Sequence, residues 1–327
     1  MEQGWTWWVG FNGFVLAMLA VDLRVFHRRS HEVKFKEALL WSAVWIFVAL
    51  LFNFGLWRGW LGSYLPHERL HVAANFLTGY LVEKSLSVDN LFVFAVIFTY
   101  FAVPATYHHR VLFYGILGAL VFRAIFIFGG LWLIQQFHWM IYVFGAFLIF
   151  TGIKLGLAAE KEVQPEKNPV LRLLRRVLPV SAHYEGGRFL TRVDGRLLAT
   201  PLLLVLVFLE MTDVMFALDS IPAVIGITHD PFIVFTSNIL AILGLRALYF
   251  VLAAFMKMFH YLSHGLGVLL VFIGVKMVTE PIFNYRLSAG ISLGIVALVL
   301  ATAVVASLLS PARPPATTAQ ETPPRGS

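Results

Sequence analysis

Glu83-Lys84-Ser85-Leu86-Ser87-Val88-Asp89-Asn90 lies inside one apolar run, and Glu210-Met211-Thr212-Asp213-Val214-Met215-Phe216-Ala217-Leu218-Asp219-Ser220 lies inside another. Each places an acid six residues before an Asp: Glu83 before Asp89, and Asp213 before Asp219. Asn90 follows the first Asp and Ser220 the second. An ionisable side chain at the centre of a membrane span costs about 2.5 to 3.5 kcal/mol on insertion scales, so these stretches read as functional. The rest of the chain reads as a scaffold that presents one stretch to the other.

The surrounding composition sets the class. Of 327 residues, 59% are hydrophobic and only 13% charged, and the mean hydropathy is +0.79. A soluble domain is about half apolar and about a quarter charged, so this is a polytopic, all-α membrane protein. The chain has no Cys, which excludes disulfides, thiolate metal sites and Cys nucleophiles. The net charge of +7 sits in loops between apolar runs, so it reports membrane orientation and not nucleic-acid binding. Glu2, with no basic n-region and no small-residue cleavage site, argues against a cleavable signal peptide. Trp5, Trp7 and Trp8 read as an interfacial belt, and the many Phe as lipid-facing or packing residues.

Spans need about 20 apolar residues. The runs predict about nine, near 8–25, 37–57, 71–103, 110–134, 138–158, 200–228, 232–255, 260–280 and 287–309. The first loop carries Arg24, Arg28, Arg29, Lys34 and Lys36. The fifth carries Lys161, Lys167, Arg172, Arg175, Arg176, Arg188, Arg192 and Arg196. The even loops hold few bases, so the positive-inside rule gives N-terminus out and C-terminus in. Within the fifth loop, 159–199, Val170 to Leu178 predicts a short amphipathic helix. Asp194-Gly195 between apolar pairs predicts a β-hairpin. Residues 311–327 read as a disordered tail.

An internal repeat runs through the chain. Gly115 to Ala124 aligns with Asn238 to Ala247, pairing Arg123 with Arg246, and Phe147 to Lys154 aligns with Leu269 to Lys276. Spans three to five (71–158) thus correspond to spans six to eight (200–280). They are flanked by two N-terminal spans in 1–70 and a last span in 281–310. Three spans per unit is odd, so the copies insert with opposite orientation, a recurrent transporter design.

Glu83, Asp89, Glu210, Asp213 and Asp219 all fall at membrane depth, with Asn90 beside them. Oxygen donors of this kind suit hard divalent cations; the lack of Cys and of His in either stretch disfavours copper and zinc and leaves Mn, Mg or Ca. At about 100° per residue, Asp213 and Asp219 lie about 120° apart on a straight helix, and Glu210 and Asp219 about 180° apart. Pro222 leaves the Leu218 carbonyl without its helical donor, so a break over Ala217–Pro222 is expected to turn Asp219 inward. A break is also expected near Ser87–Asn90, although the third span has no matching Pro. Arg123, Arg246 and Lys84 are the bases available for charge balance, and salt bridging is the plain alternative for the acids. Lys154 and Lys276, at span ends, read as snorkelling anchors.

Through these two stretches, together with Ala199-Thr-Pro-Leu, Ile221-Pro222-Ala223 and Leu243-Gly-Leu-Arg246-Ala-Leu-Tyr, the chain resembles the TerC/Alx family of integral membrane proteins over nearly its whole length, the tail excepted. The resemblance implies manganese export or homeostasis, with the intramembrane acids holding Mn²⁺ as substrate. Here those acids are Glu83, Asp89, Glu210, Asp213 and Asp219, and the implied location is the bacterial inner membrane.

The leading expectation is a Mn²⁺ exporter linked to protons, with Asp89 and Asp219 as direct ligands and Glu210 as the proton-carrying partner. A non-transporting scaffold or divalent-cation sensor, partnering other membrane proteins, is the alternative. An intramembrane aspartyl protease is disfavoured, because Gly-x-Gly-Asp is absent at both sites. No catalytic residue and no nucleic-acid partner is expected.

Overall fold

The computed structural model describes residues 4–27, 35–157, 179–181, 184, 186–193, 196–253, 261–285 and 287–309. Within them the side chain of Asp89 lies outside the described set. Among the described residues the chain forms ten helices and one strand pair. The first five helices are α1 (Trp5–His27), α2 (Phe35–Arg58), α3 (Arg69–Tyr100), α4 (Ala105–Gln136) and α5 (Met140–Leu157). Strands β1 (Leu190–Val193) and β2 (Arg196–Ala199) follow, and then α6 (Pro201–Ile225), α7 (Pro231–Leu243), α8 (Leu245–Ala253), α9 (Leu262–Phe283) and α10 (Ala289–Leu309). The chain is a helical, multi-pass integral membrane protein.

The apolar runs fold as helices because only a helix satisfies its own backbone in lipid. Six described helices, α2, α4, α5, α6, α9 and α10, are long and apolar enough to cross a membrane, and the bent pair α7–α8 makes seven. α3 is not among them, in keeping with Glu83, Lys84 and Asp89 in its middle. At 32 residues, α3 and α4 are each about 48 Å long, more than a core of about 30 Å requires, so both suit a tilted crossing. The strands pair antiparallel, Leu190 with Ala199 and Val193 with Arg196. The Asp194-Gly195 turn, the stretch Val170 to Leu178 and the tail 311–327 lie outside the described residues.

Two expectations about helix breaks are corrected. α6 continues through Pro222 to Ile225, and α3 is unbroken from Arg69 to Tyr100. Pro222 sits one turn from the end of α6, where few hydrogen bonds depend on it, and its own carbonyl accepts from Gly226 N at 2.8 Å. The break falls in the seventh run instead, where α7 and α8 meet at Gly244 with a 45° bend. Glycine disfavours helix interiors by about 1 kcal/mol. Lys84 Nζ donates to the Ala241 carbonyl at this break, at 3.1 Å.

The helices pack in a repeated pattern. α3 lies on α7, α4 on α6, and α5 on α9. At the α5–α9 contact the two backbones approach closely. A Cβ on Gly145 would stand 3.0 Å from the Gly274 carbonyl oxygen, and one on Gly274 would stand 2.7 Å from that of Gly145. Gly152 and Gly267 stand in the same reciprocal relation, at 2.6 and 2.7 Å. Small residues that let helices meet at the backbone are the usual means of helix association in lipid.

The loops sort to two ends. At one end the Trp7 indole donates to Ser63 Oγ at 3.2 Å, the Tyr64 hydroxyl to Asp230 Oδ2 at 2.9 Å, and Lys276 Nζ to the Gly226 carbonyl at 3.4 Å. At the other end the Tyr184 hydroxyl donates to the Phe101 carbonyl at 2.7 Å, and Tyr249 meets His108 at 3.3 Å. Trp5 is exposed as an interfacial residue would be. Trp8 instead packs edge-on to Phe232, with ring centres 5.3 Å apart, which pins α1 to α7.

Candidate functional site

Arg123 is completely buried near the middle of α4, and around it three other helices contribute polar groups. Its Nη1 donates to Glu83 Oε1 of α3, to Ser220 Oγ of α6 at 3.2 Å and to Asn238 Oδ1 of α7 at 3.2 Å. Its Nη2 donates to Asp213 Oδ1 of α6 at 3.3 Å. Asn238 Nδ2 donates back to Glu83 Oε2 at 3.0 Å, and Ser87 Oγ donates to Glu83 Oε1 at 3.3 Å. All six side chains are buried. The network knits together the two acidic stretches, Glu83–Asn90 and Glu210–Ser220.

The helix wheel explains who takes part. Ser87 stands one turn after Glu83, so both look toward α4 and α7. On α6, Asp213 and Ser220 lie seven residues apart on one stripe, and both meet Arg123. Asp219 is half-buried on another face, where Lys154 of α5 is the charge acting on it. Glu210 is half-buried against α4, and a Cβ on Gly118 would overlap its carboxylate.

Several polar atoms are left over. Among the described residues, Asp213 Oδ2 and Glu210 Oε2 are buried without a hydrogen-bond partner, as is Asn90 Nδ2. A buried carboxylate oxygen in that state forfeits about 1 to 3 kcal/mol of solvation, so these two oxygens are places where a proton or a cation gains most. With a guanidinium on one oxygen, Asp213 still has a second to offer.

The structure therefore brings Glu83 and Asp213 together through Arg123. It sets Glu210 beside them on the α4–α6 contact and Asp219 toward α5. Arg246 is buried at the start of α8, and Lys84 sits at the α7–α8 break. Among the described residues no group of three His, Asp or Glu side chains is placed to hold one metal ion. Asp89, the acid that ends the first stretch, is outside the described side chains. Ser87, Ser220, Asn238 and Gly118 join the site beyond the residues that the sequence singles out as ligands or charge partners. A polar amide in the apolar run Ile233 to Leu243 was the available signal for Asn238.

Residues 69–314 match the profile of the integral membrane protein TerC family. The chain is 53% identical over 303 residues to an uncharacterized membrane protein, STKORF319, of Myxococcus xanthus, which covers 92% of each chain. It is 49% identical over 295 residues to a putative membrane-bound redox modulator, Alx, of Escherichia coli K12, covering 88% of this chain and 90% of that one. An uncharacterized membrane protein of Rickettsia bellii is 37% identical over 303 residues, 92% of this chain and 97% of its own. No solved structure matches the chain.

Proposed function

The chain belongs to the integral membrane protein TerC family, and from that premise we propose that it exports Mn²⁺ from the cytoplasm across the bacterial inner membrane. One observation carries the reading: a buried arginine holds together one acid from each repeated stretch, while Asp213 Oδ2 and Glu210 Oε2 have no partner among the described residues. A static structural brace would satisfy its own oxygens. This arrangement keeps acceptors in reserve.

Arg123 acts as a tethered stand-in for the substrate cation. With no ion bound, two buried carboxylates need a positive charge, and removing one partner of such a pair costs about 3 to 5 kcal/mol. An arriving Mn²⁺ replaces the guanidinium on Glu83 and Asp213, with Asp89, Asn90 and Asp219 completing the oxygen shell as the helices shift. Glu210 is the acid left to exchange a proton, so that ion entry releases protons. Lys84 and Arg246 balance the remaining charge.

The packing supports an inverted repeat of spans three to five on spans six to eight. A two-fold operation that exchanges α3 with α6, α4 with α7 and α5 with α9 maps the α3–α7 contact onto α6–α4, and the Gly145–Gly274 contact onto Gly267–Gly152. The sorting of loops to two ends fits nine crossings with α7–α8 as one bent span. The charge bias then puts the N-terminus and the Asp230 end outside and the C-terminus inside.

The alternative is a scaffold or cation sensor that does not transport. A redox role through thiols has no group to use here, since the chain has no Cys. Cells making the protein under manganese load should retain less Mn²⁺ than cells making Asp213→Asn at equal abundance; equal retention overturns export.

A further inference from the structure

Between the Tyr64 loop, the start of α3 and the α6–α7 turn lies a cleft of about 180 Å³, lined by Tyr64, Glu68, His71, Asn75, Thr228 and Asp230 among others. At about 30 Å³ per water, it holds about six waters, the volume of a divalent cation with an octahedral hydration shell. Its two acids are fixed by their partners. Asp230 Oδ1 caps α7 at Phe232 N, 2.9 Å away, and its Oδ2 accepts from Tyr64. Glu68 Oε2 accepts from Leu65 N at 3.1 Å.

The cleft does not end blindly. From Asn75 a polar seam runs between α3 and α7 toward Glu83. Asn75 and Thr78 on α3, and Ser237 and Asn238 on α7, are all buried. Among the described residues, Thr78 and Ser237 donate to carbonyls of their own helices, at 2.7 and 3.2 Å, and to no group of the facing helix. Asn238 reaches the Arg123 network directly. From Asn75 to Glu83 is eight residues, about 12 Å along the helix. The seam is shut midway: a Cβ on Gly79 would stand 3.0 Å from Ser237 Oγ and 3.2 Å from Val224 Cγ1.

We propose that this cleft is the outer vestibule for hydrated divalent cations, joined to the Arg123 site along the α3–α7 seam and closed here at Gly79–Ser237. The inference rests on the export reading for its direction, outward release. It does not rest on it for the existence of a cation-selective water path. Glu68 and Asp230 enrich cations at the mouth without stripping their water, and the seam's hydroxyls and amides line the way to the acids. The close approach at Gly79 lets the two helices seal the path in this state.

The natural absence of Cys makes the test clean. Asn75→Cys in proteoliposomes is treated from the Asp230 side with a quaternary-ammonium methanethiosulfonate and, separately, with a neutral reagent of the same size. Leu51→Cys, on the exposed face of α2, is the lipid-facing control. Asn75→Cys should react well above the control, and about tenfold faster with the cationic reagent than with the neutral one, an enrichment typical of an acid-lined cleft. Mn²⁺ or Mg²⁺ should slow the cationic reaction. Adding Asp230→Asn, which keeps the helix cap, and Glu68→Gln should remove the charge preference. Reaction no faster than Leu51→Cys, or equal rates with both reagents, overturns the proposal. If Asn75→Cys does not fold, the exposed His71→Cys carries the same comparison with the same two outcomes. Charge-selective labelling with no Mn²⁺ flux would defeat export and leave the vestibule standing; flux without labelling would do the reverse.

Discussion

Glu83 and Asp213, acids from two different helices, are bridged by one guanidinium: Arg123 gives Nη1 to Glu83 and Nη2 to Asp213. Each acid opens one six-residue spacing of the repeat, and Arg123 is the repeat partner of Arg246. The three groups carry one excess negative charge when ionised.

Arg123 should be needed for folding only while the acids are charged. Arg123→Gln should lower stability by about 3 to 5 kcal/mol, because it strands two buried carboxylates. Adding Glu83→Gln and Asp213→Asn should recover a large part of that loss, a coupling of about 0.5 to 3 kcal/mol. Reversible unfolding in detergent measures both. Additive losses would show that the three do not act as one network.

Glu210 should govern the pH dependence of ion binding. Glu210→Gln should leave Mn²⁺ binding measurable by titration calorimetry but flatten its change across about pH 6 to 8, since a ligand-linked proton is lost. Identical profiles for Glu210→Gln and the parent protein would remove Glu210 from that role. Asp219→Asn, in contrast, should abolish binding at every pH.

Gly118 offers an independent handle on the same acid. Gly118→Ala drives a methyl into the Glu210 carboxylate, whereas Gly129→Ala on the same helix meets nothing within 4 Å. Gly118→Ala should alter Mn²⁺ affinity and its pH profile with little change in secondary structure by circular dichroism. Gly129→Ala should match the parent protein. Equal behaviour of the two would mean that Glu210 is not held by this contact.

The α5–α9 seam should respond symmetrically. Gly152→Val and Gly274→Val occupy equivalent places in the two units, and each meets a carbonyl of the facing helix. Both should lower the thermal midpoint by similar amounts. A large loss at one and none at the other would argue against the two-fold relation.

Orientation is read by cysteine labelling of intact cells. Leu65→Cys, in the Tyr64 loop, should label from outside, and Arg188→Cys should not. The reverse pattern would invert the topology.

Much of this was legible in the sequence because lipid makes the signals coarse. An acid in an apolar run stands out, and Glu83, Asp213 and Arg123 were visible as exceptions before any contact was known. The pairing of Glu83 with Asp213 through Arg123 depends on helix rotation, which spacing alone leaves open. Pro222 misled because its distance from the helix end decides its effect, and that end was set by the Gly226 turn. Gly244 broke its helix with less warning: glycines are common in membrane helices, and the bend draws on Lys84 from another span. Ser87, Ser220 and Asn238 were missed because uncharged polar residues are inexpensive enough in lipid to carry little signal.

The central claim is that Mn²⁺ crosses the membrane through the acids that Arg123 bridges. Purified protein in liposomes, with Mn²⁺ entry followed by quenching of an internal manganese-sensitive dye, tests it directly. The parent protein should carry Mn²⁺ with accompanying proton movement, and folded Glu83→Gln/Asp213→Asn protein should carry none. No flux from the parent protein, or equal flux from the double variant, would contradict the account.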